Sequence, residues 1–227
     1  IYSGAYFPSE NNMLCPASTK ENQINVPVFR MLGADPIYQY DMNIGKSQQV
    51  SSLEPVYGNS GCNKNWVSWY LNENFNNKGI SLSYTQTGQE NSMNWQDISK
   101  GLPMQFEIIN KMRDAGKIEI LTLSESGKWF SDNFDFTPPQ AQMFDSDINV
   151  NRYKTLWYNC KNYRLNVLYE NGKIKIRDLY IFNELFKEKY LTETERTHNC
   201  SYYTLPVIDG YRFSDENIRA GLYFRRH

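Results

Sequence analysis

Met112-Arg113-Asp114-Ala115-Gly116-Lys117-Ile118-Glu119-Ile120-Leu121-Thr122-Leu123-Ser124-Glu125 holds the transition on which a reading of the fold turns. Upstream of it, Ile98, Leu102, Phe106, Ile109 and Met112 recur at helical spacing; Asn94 with Asp97 is a start signal and Gly116 a stop signal. From Ile118 the pattern changes to that of a short strand. Pro103 lies inside the helical run and is expected to kink it.

The same alternation extends toward the N-terminus. Strand-like runs cover 26–32, 50–57 and 80–87, and a second amphipathic stretch carries Trp66, Val67, Tyr70 and Leu71. Strands alternating with helices imply parallel strands joined by right-handed crossovers. The expected fold is therefore α/β, a (β/α) barrel or partial barrel with four parallel strands, over residues 1–147. After the turn-rich Pro138-Pro139 region the period becomes two, so a small antiparallel β domain is expected over 148–227. Its clearest element is a hairpin, with strands over 164–169 and 174–182 around Asn171-Gly172, a dipeptide that tolerates the positive φ angles of a tight turn. Further strands are expected at 202–207 and 220–224, and a short helix near 183–190.

Composition narrows the partner. Lys plus Arg number 24 against 25 Asp plus Glu, so no net field points to nucleic acid or an anionic surface. No run approaches the roughly 20 apolar residues that span a bilayer. Aromatic residues make up 15% of the chain, a proportion that serves either a core or a carbohydrate-facing surface. Cys15, Cys62, Cys160 and Cys200 form no CxxC pair and there are two histidines, so neither a metal nor another cofactor is expected. A Cys160–Cys200 disulfide would follow only from an oxidising compartment. GxSxG, GxGxxG and GxxxxGK[ST] motifs are absent.

In parallel α/β folds the chemistry sits where strands end. Three of the expected strand ends carry a glutamate: Glu54 in Leu53-Glu54-Pro55-Val56-Tyr57, Glu90 in Thr87-Gly88-Gln89-Glu90-Asn91, and Glu125 in Ser124-Glu125-Ser126-Gly127-Lys128-Trp129. Glycoside hydrolysis needs two carboxyls about 5 to 9.5 Å apart, a separation that neighbouring strands can supply. Glu90 and Glu125 are the first catalytic pair, with Glu54 third. Arg30, Asp35, Tyr40, Asp41, Tyr57, Gln89 and Trp129 would bond or stack on the substrate, with Tyr38 and Trp95 beside them. The plainer alternative is salt bridging for the acids and rim packing for the rings; Trp66 and Trp69 read as packing residues of a helix.

The run Val26-Pro27-Val28-Phe29-Arg30-Met31-Leu32-Gly33 through Asp35-Pro36-Ile37-Tyr38-Gln39-Tyr40-Asp41, with the three glutamate motifs, Trp157-Tyr158-Asn159-Cys160 and Tyr202-Tyr203-Thr204-Leu205-Pro206, resembles a poorly characterised group of bacterial proteins labelled glycoside hydrolases. The resemblance implies a barrel of the polysaccharide-deacetylase and glycoside-hydrolase class followed by a β-rich domain. It implies a neutral carbohydrate substrate and a secreted or periplasmic location. Family members are longer at the N-terminus, which with the half-barrel count and the start at Ile1 points to a further N-terminal part of the same polypeptide as partner. The HxxxH motif of true polysaccharide deacetylases is missing here. The expected function is a glycoside hydrolase. A non-catalytic carbohydrate-binding protein, an inactive barrel fragment and a deacetylase-like esterase are the alternatives.

Overall fold

The computed structural model describes residues 3–38, 51–87, 93–198, 204–214 and 218–224. Two short strands, β1 (Gly4–Tyr6) and β2 (Val28–Arg30), pair antiparallel, and four helices follow: α1 (Lys64–Asn74), α2 (Trp95–Ile98), α3 (Gly101–Asp114) and α4 (Leu123–Asn133). The described residues beyond them build a six-stranded sheet from β3 (Gln140–Phe144), β4 (Lys154–Asn159), β5 (Tyr163–Glu170), β6 (Lys173–Ile181), β7 (Leu205–Asp209) and β8 (Leu222–Tyr223). The strands from β3 to β7 lie in chain order, and β8 joins β6.

Every strand pair among the described residues is antiparallel, which overturns the parallel (β/α) barrel. Of the four expected parallel strands only 26–32 contains one, the three-residue β2. The described part of 50–57 makes a single bridge, Ala34 to Ser52, and 80–87 a single bridge, Ile80 to Ala141. The 118–123 run is no strand, because Thr122 and Glu125 form a capping box that starts α4 at Leu123. Alternation marks a segment suited to a sheet; a ladder also needs a neighbour at the right distance and register.

The helices were more legible. In α1, Trp66, Val67, Tyr70, Leu71 and Asn74 are buried, and Asn63 caps the start by accepting the Asn65 and Trp66 N–H groups. Tyr70 stacks on Trp66 at 5.2 Å and donates its hydroxyl proton to the Leu32 carbonyl at 2.6 Å. Leu53, Met112, Phe144, Trp157 and Tyr211 complete this core. The expected kinked helix is instead two helices, α2 and α3, broken at Ser99-Lys100. Pro103 is the third residue of α3, in the first turn, where a missing N–H costs no intrahelical bond. The helix expected near 183–190 is reduced to a 3-10 turn, Lys189–Leu191.

The 164–182 hairpin forms as read, with Asn171 at φ 50° and Gly172 at φ 74° between β5 and β6. The core face of the sheet is unusually polar, and side-chain amides do the work of a neighbouring strand. Asn159 bonds both the N–H and the carbonyl of Ser3, Gln140 bonds both those of Ala5, and Thr137 accepts the Phe7 N–H. Alternate residues of the N-terminal segment are thereby fastened across the sheet. Phe7 and Phe29 then pack on Phe130 of α4 at 4.9 and 5.8 Å.

Candidate functional site

The residues selected from the sequence do not form one rim. Glu90, Gln89, Tyr40 and Asp41 lie outside the described residues, as does Cys200. Glu54 sits half-buried in a turn whose backbone is held on both sides: its carbonyl accepts the Tyr57 N–H, and the Gln105 amide donates to the Leu53 and Gly61 carbonyls at 2.6 and 2.7 Å. Tyr57 is half-buried in the same turn. Arg30 ends β2, exposed and opposite Gly4. Asp35 is buried, its Oδ1 accepting the Ile37 and Tyr38 N–H groups, so its carboxylate shapes a turn. Trp95 is exposed at the start of α2.

Glu125 and Trp129 are the two that the fold brings together, four residues apart on the exposed face of α4. Glu125 is no strand-end acid. Its carboxylate accepts the Thr122 N–H at 2.7 Å and the Thr122 hydroxyl at 2.8 Å, and the Thr122 N–H, first among these donors, holds it below its usual range. It therefore stays ionised at neutral pH and is unsuited to donating a proton. The spacing Thr122-x-x-Glu125 is itself a helix-start signature that was present in the sequence. Thr122→Ala should lower stability by about 1 kcal/mol. Glu125→Gln, which keeps a side chain able to complete the box, should leave the melting temperature nearly unchanged.

The carboxyls that do stand side by side belong to the sheet. Asp178 of β6 and Asp209 of β7 are register partners, so their side chains leave the same face with Cβ atoms about 4.5 to 5.5 Å apart. Two irregularities create the arrangement. Between β5 and β6 the register passes from Asn166–Asp178 to Val167–Ile176, leaving Arg177 as the extra residue, and both Arg177 and Asp178 are buried. Between β6 and β7 it slips again after Leu179, and the Tyr180 hydroxyl reaches Asp209 Oδ2 at 2.6 Å.

Arg164 completes the group. Its Nη2 donates to Asp178 Oδ2 at 2.5 Å and its Nε to Oδ1 at 3.2 Å, while the guanidinium lies 4.5 Å from the Tyr180 ring centroid. The Asp178 side chain is 3% exposed. Burial pushes the Asp178 carboxyl above its ordinary value; Arg164 opposes this and the neighbouring Asp209 adds to it. Burial, then the bond to Asp209, raises the Tyr180 phenol. Two carboxyls thus stand on adjacent strands in unlike environments, Asp178 buried against Arg164 and Asp209 accepting a phenolic proton.

Sequence reasoning missed these residues because it sought acids at the ends of expected parallel strands, whereas these stand within an antiparallel sheet. In Lys173-Ile174-Lys175-Ile176-Arg177-Asp178 the isoleucines suggest the core, yet Ile174 is 54% exposed and Lys175 is 2% exposed. Lys175 is compensated by Glu170, which also bonds Arg219 and Tyr223. Among the described residues no three His, Cys, Asp or Glu side chains group as a metal site, and no helix is long and apolar enough to cross a membrane.

No family model and no curated protein matches the chain. Among solved structures it is similar to a crystal structure from Parabacteroides distasonis described as "a putative glycoside hydrolase/deacetylase", with a TM-score of 0.63 at 14% sequence identity. The match covers 92% of this chain and 51% of that one, so this chain spans about half the length of the structure it matches. At that identity the likeness is one of fold.

Proposed function

We propose that the chain is part of a glycoside hydrolase acting on a neutral oligo- or polysaccharide. The observation that carries the reading is the Asp178–Asp209 pair, in register on adjacent strands, with the Asp178 carboxyl pushed up by burial. The near balance of charge and the name given to the Parabacteroides distasonis protein support the substrate class. In this scheme protonated Asp178 donates to the glycosidic oxygen as its bond to the anomeric carbon breaks, and Asp209 attacks that carbon. Water then releases the sugar, returning its proton to Asp178. With Cβ atoms about 4.5 to 5.5 Å apart, cross-strand partners can bring their carboxyls to the separation of about 5 to 5.5 Å that goes with retention of configuration. Tyr180 orients Asp209, and Arg164 stabilises Asp178 when it is ionised.

Glu90 and Glu54 remain alternative acids on the sequence argument, with Glu125 confined by its cap to an ionised partner. The test is a panel of neutral glycans assayed for reducing ends with the wild-type chain and with Glu54→Gln, Glu90→Gln and Asp209→Asn. Loss of turnover confined to Asp209→Asn, with retained configuration in the wild-type product, is expected. Loss confined to Glu90→Gln would return the chemistry to the glutamates, and glycan binding without turnover in the wild type would favour a binding module.

A further inference from the structure

The buried face of the sheet is polar and its outer face is apolar. Register pairing sets Met143, Leu156, Val167, Ile176 and Leu222 in one row across β3, β4, β5, β6 and β8. Tyr158, Leu165, Leu179 and Ile208 make the next row across β4 to β7, and Tyr169 with Ile174 flanks the first row on its other side. The opposite face holds Asn166, Glu170, Lys175 and Asp178, all buried. In the outer rows every side chain is half-buried or exposed, and Ile174 and Leu222 are more than half exposed. None belongs to either buried apolar cluster of the described residues.

An antiparallel sheet that meets water on one face carries polar residues there. Neither long row contains a charged side chain, so covering this face removes apolar area from water and leaves no ion without its solvent. Strands about 4.8 Å apart, with residues about 3.4 Å apart along them, give five strands and three rows a patch of about 24 by 20 Å, on the order of 500 Å². Covered on two molecules at once, it amounts to about 1,000 Å², the size at which specific interfaces begin. A second copy of the chain meets these conditions. A two-fold axis sets apolar rows against apolar rows, no charge has to be matched across them, and a net charge of -1 gives the copies little mutual repulsion. We propose that this face joins two copies of the chain, sheet packed against sheet. The inference is independent of the hydrolase reading, because Asp178 and Asp209 lie on the opposite face.

The test is the mass in solution. Size-exclusion chromatography with light scattering on the 227-residue chain should give twice the 26.7 kDa of one chain, with monomer appearing on dilution through the micromolar range. Added salt should not dissociate the dimer, since no ion pair holds it, and its melting temperature should rise with concentration. Val167→Lys, in the middle of the first row, sets an ammonium group into the apolar face of each copy and should give monomer. A lysine there could also disturb β5. Ile174→Lys combined with Leu222→Lys, at positions 54% and 52% exposed, is therefore a second disruption that the folded monomer tolerates, with an unchanged far-ultraviolet spectrum. Trp95→Lys, at a position 64% exposed on α2, should leave the dimer intact. Loss of the dimer in the folded double variant but not in Trp95→Lys sustains the interface, whether or not the chain hydrolyses a glycan. A wild-type monomer at every concentration overturns it and leaves the face to a different polypeptide. A dimer that survives both outer-face changes also overturns it, since another surface then joins the copies.

Discussion

Asp178→Asn should reduce glycan turnover by about 100- to 10,000-fold, the range lost with a general acid. Asparagine preserves the shape of the side chain and can still accept from Arg164, so sugar affinity and the far-ultraviolet spectrum should change little. The pH dependence has a definite sign. The carboxyl's raised value keeps the proton-donating form present to higher pH than for an exposed aspartate, and activity should fall as pH rises through that value. The same group contributes stability that is full below its unfolded value of about 3.9 and is lost as pH rises through the raised folded one. The variant should show neither dependence. Undiminished hydrolysis by a folded Asp178→Asn chain would remove the pair from the mechanism.

Glu170→Ala should be among the most destabilising single changes in the sheet, by about 3 to 5 kcal/mol, the cost of leaving a buried charge without its partner. Glu170 Oε1 lies 2.5 Å from Lys175 Nζ, its Oε2 lies 2.9 Å from Arg219 Nε, and the Tyr223 hydroxyl donates to it at 2.9 Å. Lys175 cannot move to water without separating β8 from β6, since its chain lies under the Tyr223 ring and beside Gly221. Burial pushes the Glu170 carboxyl up, but the bonds from Lys175, Arg219 and Tyr223 outweigh it and leave the carboxyl below its usual value. Its contribution is thus present above the unfolded value of about 4.3 and is lost as pH falls through the folded one. Urea unfolding from pH 3 to 7 should show an acid limb in the wild type that is weaker in the variant. A loss under about 1 kcal/mol would mean that the Arg219 carbonyl, which the Lys175 ammonium also bonds, is partner enough, against the burial argument.

What could be read in advance follows the range of the interactions involved. The buried face of α1 was legible in Trp66, Val67, Tyr70 and Leu71, and the β5–β6 turn in Asn171-Gly172, because helical period and positive φ are decided within a few residues. The Thr122-x-x-Glu125 box was equally local, and it turned an expected strand-end acid into a helix cap. By contrast, the stretches over 50–57, 80–87 and 118–123 have strand-like composition but no ladder, since a strand is completed only by a partner distant in sequence.

By itself the sequence determined the buried face of α1, the hairpin turn and the near neutrality that points away from nucleic acid. Only the tertiary structure decided that the described strands before residue 148 are antiparallel as well and that Lys175, Arg177 and Asp178 are buried while Ile174 faces water. The reason is physical. A bulge of one residue exchanges the faces of everything beyond it, and a buried charge is tolerable only where Glu170 or Arg164, brought from another strand, stands against it.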